Sequence, residues 1–526
     1  QPINPTITML RSRGIILTLT RGLRGQVSSN RLKRASLGPR EHISTEPVVE
    51  EGLARLRGEN VTQPKRETSE EHSLNHHPKD DSRKIRAARY VPLSIPITAE
   101  TQHDLLAQHV TPLCQKPYHK QLNIKQQQMF KVLHTLGKRL AQVQAPIERT
   151  TKGLPCPLES PRPSPDVISY RNKDELGIRS GVDGNPKTVG FFIGRPTDPL
   201  MVSVPPTYLI NMRDSHKHIV KSFQNFIRES DHRACHHFDD GGIWRNLVVR
   251  STQSGEKMAI VLIHPQQLPE DGIHEIMDEL KRFFTEGEGS SCQLDSLYLQ
   301  ACKQTKCTRE QAPYRLIAGK KHITETCCGL DFRISPDSFF QINTGGAEVL
   351  YRTVQEIAEV SPITTLLDIC CGTGTVSLVM APHVRGTIGI DEVTAAVQDA
   401  GENARANNIS NSTFIPGKAE KVLPQLSRLL RECSDVVAVV NPARSGLHPD
   451  VIHTIRQSTA ISKLIYISCK PEGYAMENFV KLGSTLGPKN MKDKSAPFVP
   501  RYAIPVDLFP HTNHMELVIL FDRVTN

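Results

Sequence analysis

From about Ser335 the chain alternates apolar runs with helical stretches, and no other feature constrains its fold as tightly. The runs are Thr364 to Ile369, Thr387 to Asp391, Ser412 to Ile415, Asp435 to Asn441, Lys463 to Ser468 and Met515 to Phe521, with a helix predicted over Thr394 to Ala406. Parallel strands cannot be joined by a tight turn, and a helix is the usual crossover between them. Strands spaced by helices of about ten to fifteen residues therefore predict an α/β, doubly wound, mostly parallel sheet. Such a sheet holds its ligands at the carboxyl ends of its strands.

The first run leads into Asp368-Ile-Cys-Cys-Gly372-Thr-Gly374. A glycine-rich turn from strand into helix lets backbone approach a nucleoside cofactor closely. A dinucleotide fingerprint would need a third glycine at position 377, where Ser377 stands. That favours S-adenosylmethionine, which has no pyrophosphate to seat on the helix. Asp391 ends the second run, nineteen residues beyond Gly372, where a carboxylate can accept hydrogen bonds from ribose hydroxyls. The fourth run ends in Asn441-Pro-Ala-Arg444 and the fifth in Ser468-Cys469-Lys470-Pro471. A cation beside a thiol lowers its pKa from about 8.5, so Lys470 is expected to activate Cys469 as a nucleophile.

Five motifs carry a family resemblance: Phe339-Phe-Gln341-Ile-Asn343, the Gly372-x-Gly374 turn, Asn441-Pro-x-Arg444-Ser-Gly446, Ile467-Ser-Cys469-x-Pro471 and Phe509-Pro-His-Thr-x-His514-x-Glu516. In this order they resemble the RNA 5-methyluridine methyltransferases, and within them the mitochondrial branch. The resemblance implies a Rossmann-like methyltransferase domain over 335–526, with Cys469 as nucleophile toward uracil C6 and Glu516 as general base. Gln341, Gly372, Gly374, Asp391 and Asn441 carry over as cofactor contacts for S-adenosylmethionine, with Thr375 and Cys370 weaker. His511 and His514 receive no role. The family usually has Asp-Pro-Pro-Arg where this chain has Asn441-Pro-Ala-Arg444, which removes a negative charge near the cationic sulfonium. Some bacterial relatives hold an iron–sulfur cluster on four cysteines. The twelve cysteines here contain no C-x-x-C pair, so neither a cluster nor another metal is expected. The nearest approach to such a pair, Cys302 and Cys307, is too weak alone, and most of the cysteines read as buried thiols of a reducing compartment.

The formal charge of +10 is unevenly distributed. Residues 1–40 hold eight basic residues and no acidic one, leaving 57 positive against 55 negative charges beyond them. An acid-free, Arg-rich, Ser-containing start predicts a mitochondrial transit peptide over 1–40 and a matrix location. Residues 41–88 are charged and poor in apolar side chains, as a disordered linker is. In the segment 89–150, no acidic residue falls between Asp104 and Glu148, while Lys116, Lys120, Lys125, Lys131, Lys138 and Arg139 do. Leu122, Met129, Leu133, Leu136, Leu140 and Val143 form one helical stripe, so a basic, RNA-contacting helix is expected. A Pro-rich linker at 150–166 leads to an α+β domain over 167–334, with strands at Thr188 to Ile193 and Arg245 to Arg250 and a helix near 272–284.

No apolar run approaches the roughly 20 residues of a membrane-spanning helix. The resemblance implies RNA as the partner, most simply the T-loop uridine of tRNA, and a monomeric enzyme is expected. Mitochondrial ribosomal RNA is the alternative substrate, and a catalytically weak RNA-binding or folding factor on the same scaffold the alternative function.

Overall fold

The computed structural model describes residues 96–194, 201–486 and 495–524. All described residues belong to one compact unit. The expected transit peptide and the 41–88 linker lie outside the described residues.

Two helices come first, α1 (Gln102–Val110) and α2 (Tyr118–Gln142). Four residues of the predicted stripe of α2, Met129, Leu133, Leu136 and Leu140, are buried in one core with Val436, Leu464 and Phe521 of the carboxy-terminal sheet, and Leu122 and Val143 pack against it half-buried. At about 1.5–3 kcal/mol per buried side chain, this packing fastens α2 to the domain that carries the motifs.

The central segment contains β1 (Lys173–Arg179), β2 (Thr188–Ile193), β3 (Val202–Val204), helix α3 (Asp214–Glu229), β4 (Trp244–Ser251), β5 (Lys257–Ile263), helix α4 (Glu270–Thr285), β6 (Ser296–Ala301) and β7 (Arg315–Gly319). Its seven strands run in the order β3-β2-β1-β4-β5-β6-β7. Helices α3 and α4 cover one face, packing Ile219, Phe223, Ile276 and Leu280 onto Leu176, Leu247 and Val261. The other face contributes Val248, Met258 and Ile260 to a second core. That core also takes in the hairpin β8 (Ile323–Cys327) and β9 (Leu330–Ile334) and the helix α5 (Thr344–Ala358). Packing is therefore continuous across residue 335. Cys302 and Cys307 form a disulfide within the connection from β6 to β7, so this pair departs from the reduced thiols expected for most of the cysteines.

The carboxy-terminal sheet follows: β10 (Thr364–Ile369), α6 (Thr375–Met380), β11 (Gly386–Asp391), α7 (Thr394–Ala406), β12 (Ser412–Pro416), α8 (Ala419–Glu432), β13 (Asp435–Val440), α9 (Pro449–Gln457), β14 (Ile461–Ser468), α10 (Tyr474–Gly483), β15 (Phe498–Val506) and β16 (Glu516–Arg523). Strand order is β12-β11-β10-β13-β14-β16-β15. The first five strands are parallel to one another, and β16 returns antiparallel between β14 and β15. The doubly wound sheet expected from the sequence is thus present, with one strand added. Strand β15 escaped the periodicity reading because it contains Pro500 and Pro505. Proline is tolerated at a sheet edge, where a missing N–H disturbs no second ladder, and β15 is the edge, with a register shift between Pro500 and Tyr502.

Candidate active site

The antiparallel return of β16 assembles the site. Ser468 pairs with Leu517 across β14 and β16, so Glu516, the first residue of β16, faces the carboxyl end of β14 where Cys469 follows. Both open onto a cavity of about 830 Å³. The same cavity is lined by Gln341, Cys370, Gly372, Thr375, Asp391 and Asn441. Every site residue named from the sequence meets there except Gly374.

Gly374 shapes the turn without lining the cavity. Its φ of 80° is left-handed, and a Cβ would stand 2.8 Å from the Phe414 ring and 2.9 Å from Ala400. Cys370 and Gly372 in the same turn also have positive φ, 66° and 56°. This conformation turns the Gly372 N–H onto Asp391 Oδ2 at 2.9 Å, and the Val393 N–H reaches Asp391 Oδ1 at 2.9 Å. Two backbone donors thus orient a carboxylate that still has lone pairs for ligand hydroxyls. Asp368 Oδ2 accepts from the Ser377 N–H and Oγ, while its Oδ1 is buried with no partner. Burial lifts the Asp368 carboxyl to about 7. Burial and the Asp391 charge lift the Cys370 thiol to about 12, which leaves Cys370 a wall residue. Gln341 is held through its carbonyl by the Asn172 amide at 2.8 Å.

Arg444 lines the same cavity as Cys469 and Glu516. Its charge favours ionisation of both. Burial and the charge of Glu516 outweigh this, so the thiol is raised. The expectation that Lys470 activates Cys469 is therefore corrected: Lys470 is exposed, and Arg444 is the cation that acts on the sulfur. Glu516 is 4% exposed, its Oε2 lacks a partner, and burial lifts its carboxyl to about 8. His514 lines the cavity, and burial lowers its pKa, which favours neutral imidazole. Phe339, 65% exposed, adds an apolar face to the lining.

The model of the tRNA (uracil-5-)-methyltransferase family matches residues 315–524. The tRNA (uracil-5-)-methyltransferase homolog B of Danio rerio is 43% identical over 431 residues, spanning 82% of this chain and 89% of its own. The chain belongs to the tRNA (uracil-5-)-methyltransferase family. The Homo sapiens homolog B is 43% identical over 80% of this chain and 84% of its own length. The crystal structure of Pyrococcus abyssi tRNA (uracil-54, C5)-methyltransferase in complex with S-adenosyl-L-homocysteine shares the fold, with a TM-score of 0.55 and 21% identity over 78% of this chain and 84% of that one.

For a methyltransferase of this family the cavity is suitably furnished. The oriented Asp391 carboxylate, the unpartnered Asp368 oxygen and the Gln341 and Asn441 side chains suit a nucleoside bearing an amino-acid arm, as S-adenosylmethionine is. Two further site residues were not assigned from the sequence. Arg444 stands inside one of the motifs, but only the pairing of β13 with β14 and of β14 with β16 brings it to both Cys469 and Glu516. Asp368 is the penultimate residue of an otherwise apolar strand end, and a carboxylate at that point is itself the available signal.

Proposed function

We propose that this protein methylates C5 of a uridine in the T-loop of tRNA, in the mitochondrial matrix, through a covalent bond between Cys469 and uracil C6. One observation carries the reading: Cys469, Arg444 and Glu516 line the same cavity as the Gly372–Asp391 turn, with the Arg444 charge acting on both Cys469 and Glu516. Uracil C5 is a weak nucleophile. Addition of the Cys469 thiolate to C6 places electron density on C5, and Arg444 stabilises that thiolate beforehand. S-adenosylmethionine, when bound, supplies an electrophilic methyl group to C5. Glu516, in its ionised form, then takes the C5 proton, the C5–C6 double bond re-forms and the Cys469–C6 bond breaks. A base must leave its stack to reach such a cysteine, which favours a loop uridine.

The RNA side is supported by α2. Its Lys120, Lys131 and Lys138, with Lys116 just before it, are exposed, as phosphate contacts require. Lys125 and Arg139 are not available in the same way, since they pair with Asp507 and Glu477. The matrix location rests on the acid-free, Arg-rich residues 1–40.

The test is to incubate the protein with S-adenosylmethionine and an unmodified mitochondrial tRNA transcript, digest the RNA and map 5-methyluridine by mass spectrometry. Methylation confined to the T-loop and abolished in Cys469→Ala is expected. No 5-methyluridine, or methylation that survives Cys469→Ala, contradicts the proposal.

A further inference from the structure

The acid-free helix α2 has an inner face that the catalytic chemistry described above does not use. Tyr118, Gln121 and Lys125 lie three and four residues apart, so they project from one side of the helix. All three reach the segment 507–514, which joins β15 to β16 and leads directly into Glu516. Lys125 Nζ donates to Asp507 Oδ1 at 2.7 Å and to the Phe509 carbonyl at 2.9 Å, with both charged side chains fully buried. The Tyr118 hydroxyl donates to Asp507 Oδ2 at 3.0 Å. Gln121 grips His511 twice: its Oε1 accepts from the His511 backbone N–H at 2.8 Å, and its Nε2 donates to His511 Nδ1 at 3.0 Å. The Leu113 N–H, just before α2, donates to the His511 carbonyl at 2.9 Å.

His511 needs such a grip. Its φ of 68° is left-handed, a conformation that a β-carbon-bearing residue keeps only where surrounding contacts over-determine it. With Gln121 donating to Nδ1, the imidazole proton sits on Nε2, and burial keeps the ring neutral. The payload of the segment is on its cavity side, where Phe509, Thr512 and His514 join Glu516 in the lining.

We propose that Tyr118, Gln121 and Lys125 are positioning residues: through Asp507 and His511 they set the loop that aims Glu516, and with it Thr512 and His514, at the uracil. The inference rests on the covalent mechanism proposed above. It predicts a defect in one step. The Cys469 and Gly372–Asp391 walls are built by other strands, so addition to C6 and cofactor binding persist in a loosened clamp while removal of the C5 proton lags. General-base catalysis is worth about 10²–10⁴-fold and a misplacement near 1 Å about 10²-fold, so turnover should fall at least tenfold.

The experiment uses the full chain with ordinary, unfluorinated tRNA and S-adenosylmethionine, comparing wild type, Gln121→Ala and the double variant Lys125→Met/Asp507→Asn, which leaves no unpaired buried charge. S-adenosylmethionine affinity within about twofold of wild type, turnover at least tenfold lower and an accumulated denaturant-resistant protein–RNA adduct are expected. Gln121→Ala or the double variant turning over at the wild-type rate overturns the inference. So does a loss of turnover that follows loss of cofactor binding or of folded protein, without adduct. A parallel arm with 5-fluorouridine tRNA separates the two levels: no adduct from the wild-type protein sinks the covalent mechanism and the clamp together, whereas adduct from wild type with fully active variants sinks the clamp alone.

Discussion

Glu516→Gln should make the protein inactive and, at alkaline pH, more stable. Burial lifts the Glu516 carboxyl from 4.5 to about 8, so between these values the folded state keeps a proton that the unfolded chain releases. The unfolded state then binds fewer protons than the native state, and stability falls as pH rises through that window. Each unit of difference is worth about 1.4 kcal/mol, so the wild-type protein carries a penalty on the order of 3–5 kcal/mol by pH 8 and above, and almost none at pH 4.5. A glutamine does not titrate. Asp368, lifted to about 7 in the same cavity, is present in both proteins and cancels from the difference. Thermal unfolding measured from pH 5 to pH 9 should give two curves that start together and separate. At about 2–4 °C per kcal/mol for a domain of this size, the gap should reach roughly 10 °C at pH 9. A gap that stays constant with pH would refute the assignment of Glu516 as a desolvated, proton-holding carboxyl. The same protonation makes kcat/KM of the wild type rise with pH toward about 8, since the base must be ionised to act.

Three further outcomes are expected. Asn441→Asp restores a negative charge beside the cofactor and should tighten S-adenosylmethionine about fivefold, near 1 kcal/mol. By calorimetry S-adenosylhomocysteine, which lacks the sulfonium charge, should change little, and equal effects on both ligands would count against a sulfonium contact. Gly374→Ala forces a Cβ against Phe414 and Ala400 at a left-handed φ; left-handed backbone alone costs about 1–2 kcal/mol, and cofactor affinity should drop at least tenfold, a result that wild-type binding would contradict. Replacing Lys116, Lys120, Lys131 and Lys138 together by alanine should lower the slope of log affinity against log salt by about 3 for tRNA, with turnover at saturating RNA unchanged; an unaltered slope would remove α2 from the RNA surface.

The sequence was most informative where a local pattern had one physical solution. Thr364–Ile369 and Thr394–Ala406 appear with the predicted bounds, because buried parallel strands and their crossover helices are written in continuous runs of residue types. The glycine turn and Asp391 were legible for the same reason, being a turn and a strand end. What could not be read were the relations made by long-range pairing. Edge strand β15 was hidden by its prolines, and without it the segment 507–514 had no frame. Lys125 looked like one cation among six on an acid-free helix, because its partner Asp507 lies 382 residues away. Lys470 is adjacent to Cys469 in sequence, yet the parallel pairing of β13 with β14 gives the role of cation to Arg444. Charge counted along a chain finds neighbours, whereas the electrostatics of a site are set by what the sheet brings across.

The covalent bond between Cys469 and uracil C6 is the central claim, and 5-fluorouridine tests it most directly. Fluorine at C5 cannot leave as a proton, so Glu516 has nothing to remove and elimination stops. With S-adenosylmethionine and 5-fluorouridine-containing tRNA, the wild-type protein should form a complex that survives denaturing electrophoresis, carries the transferred methyl group and maps to Cys469 by peptide mass; Cys469→Ala should form none. Tight RNA binding by the wild-type protein with no such complex would contradict the account.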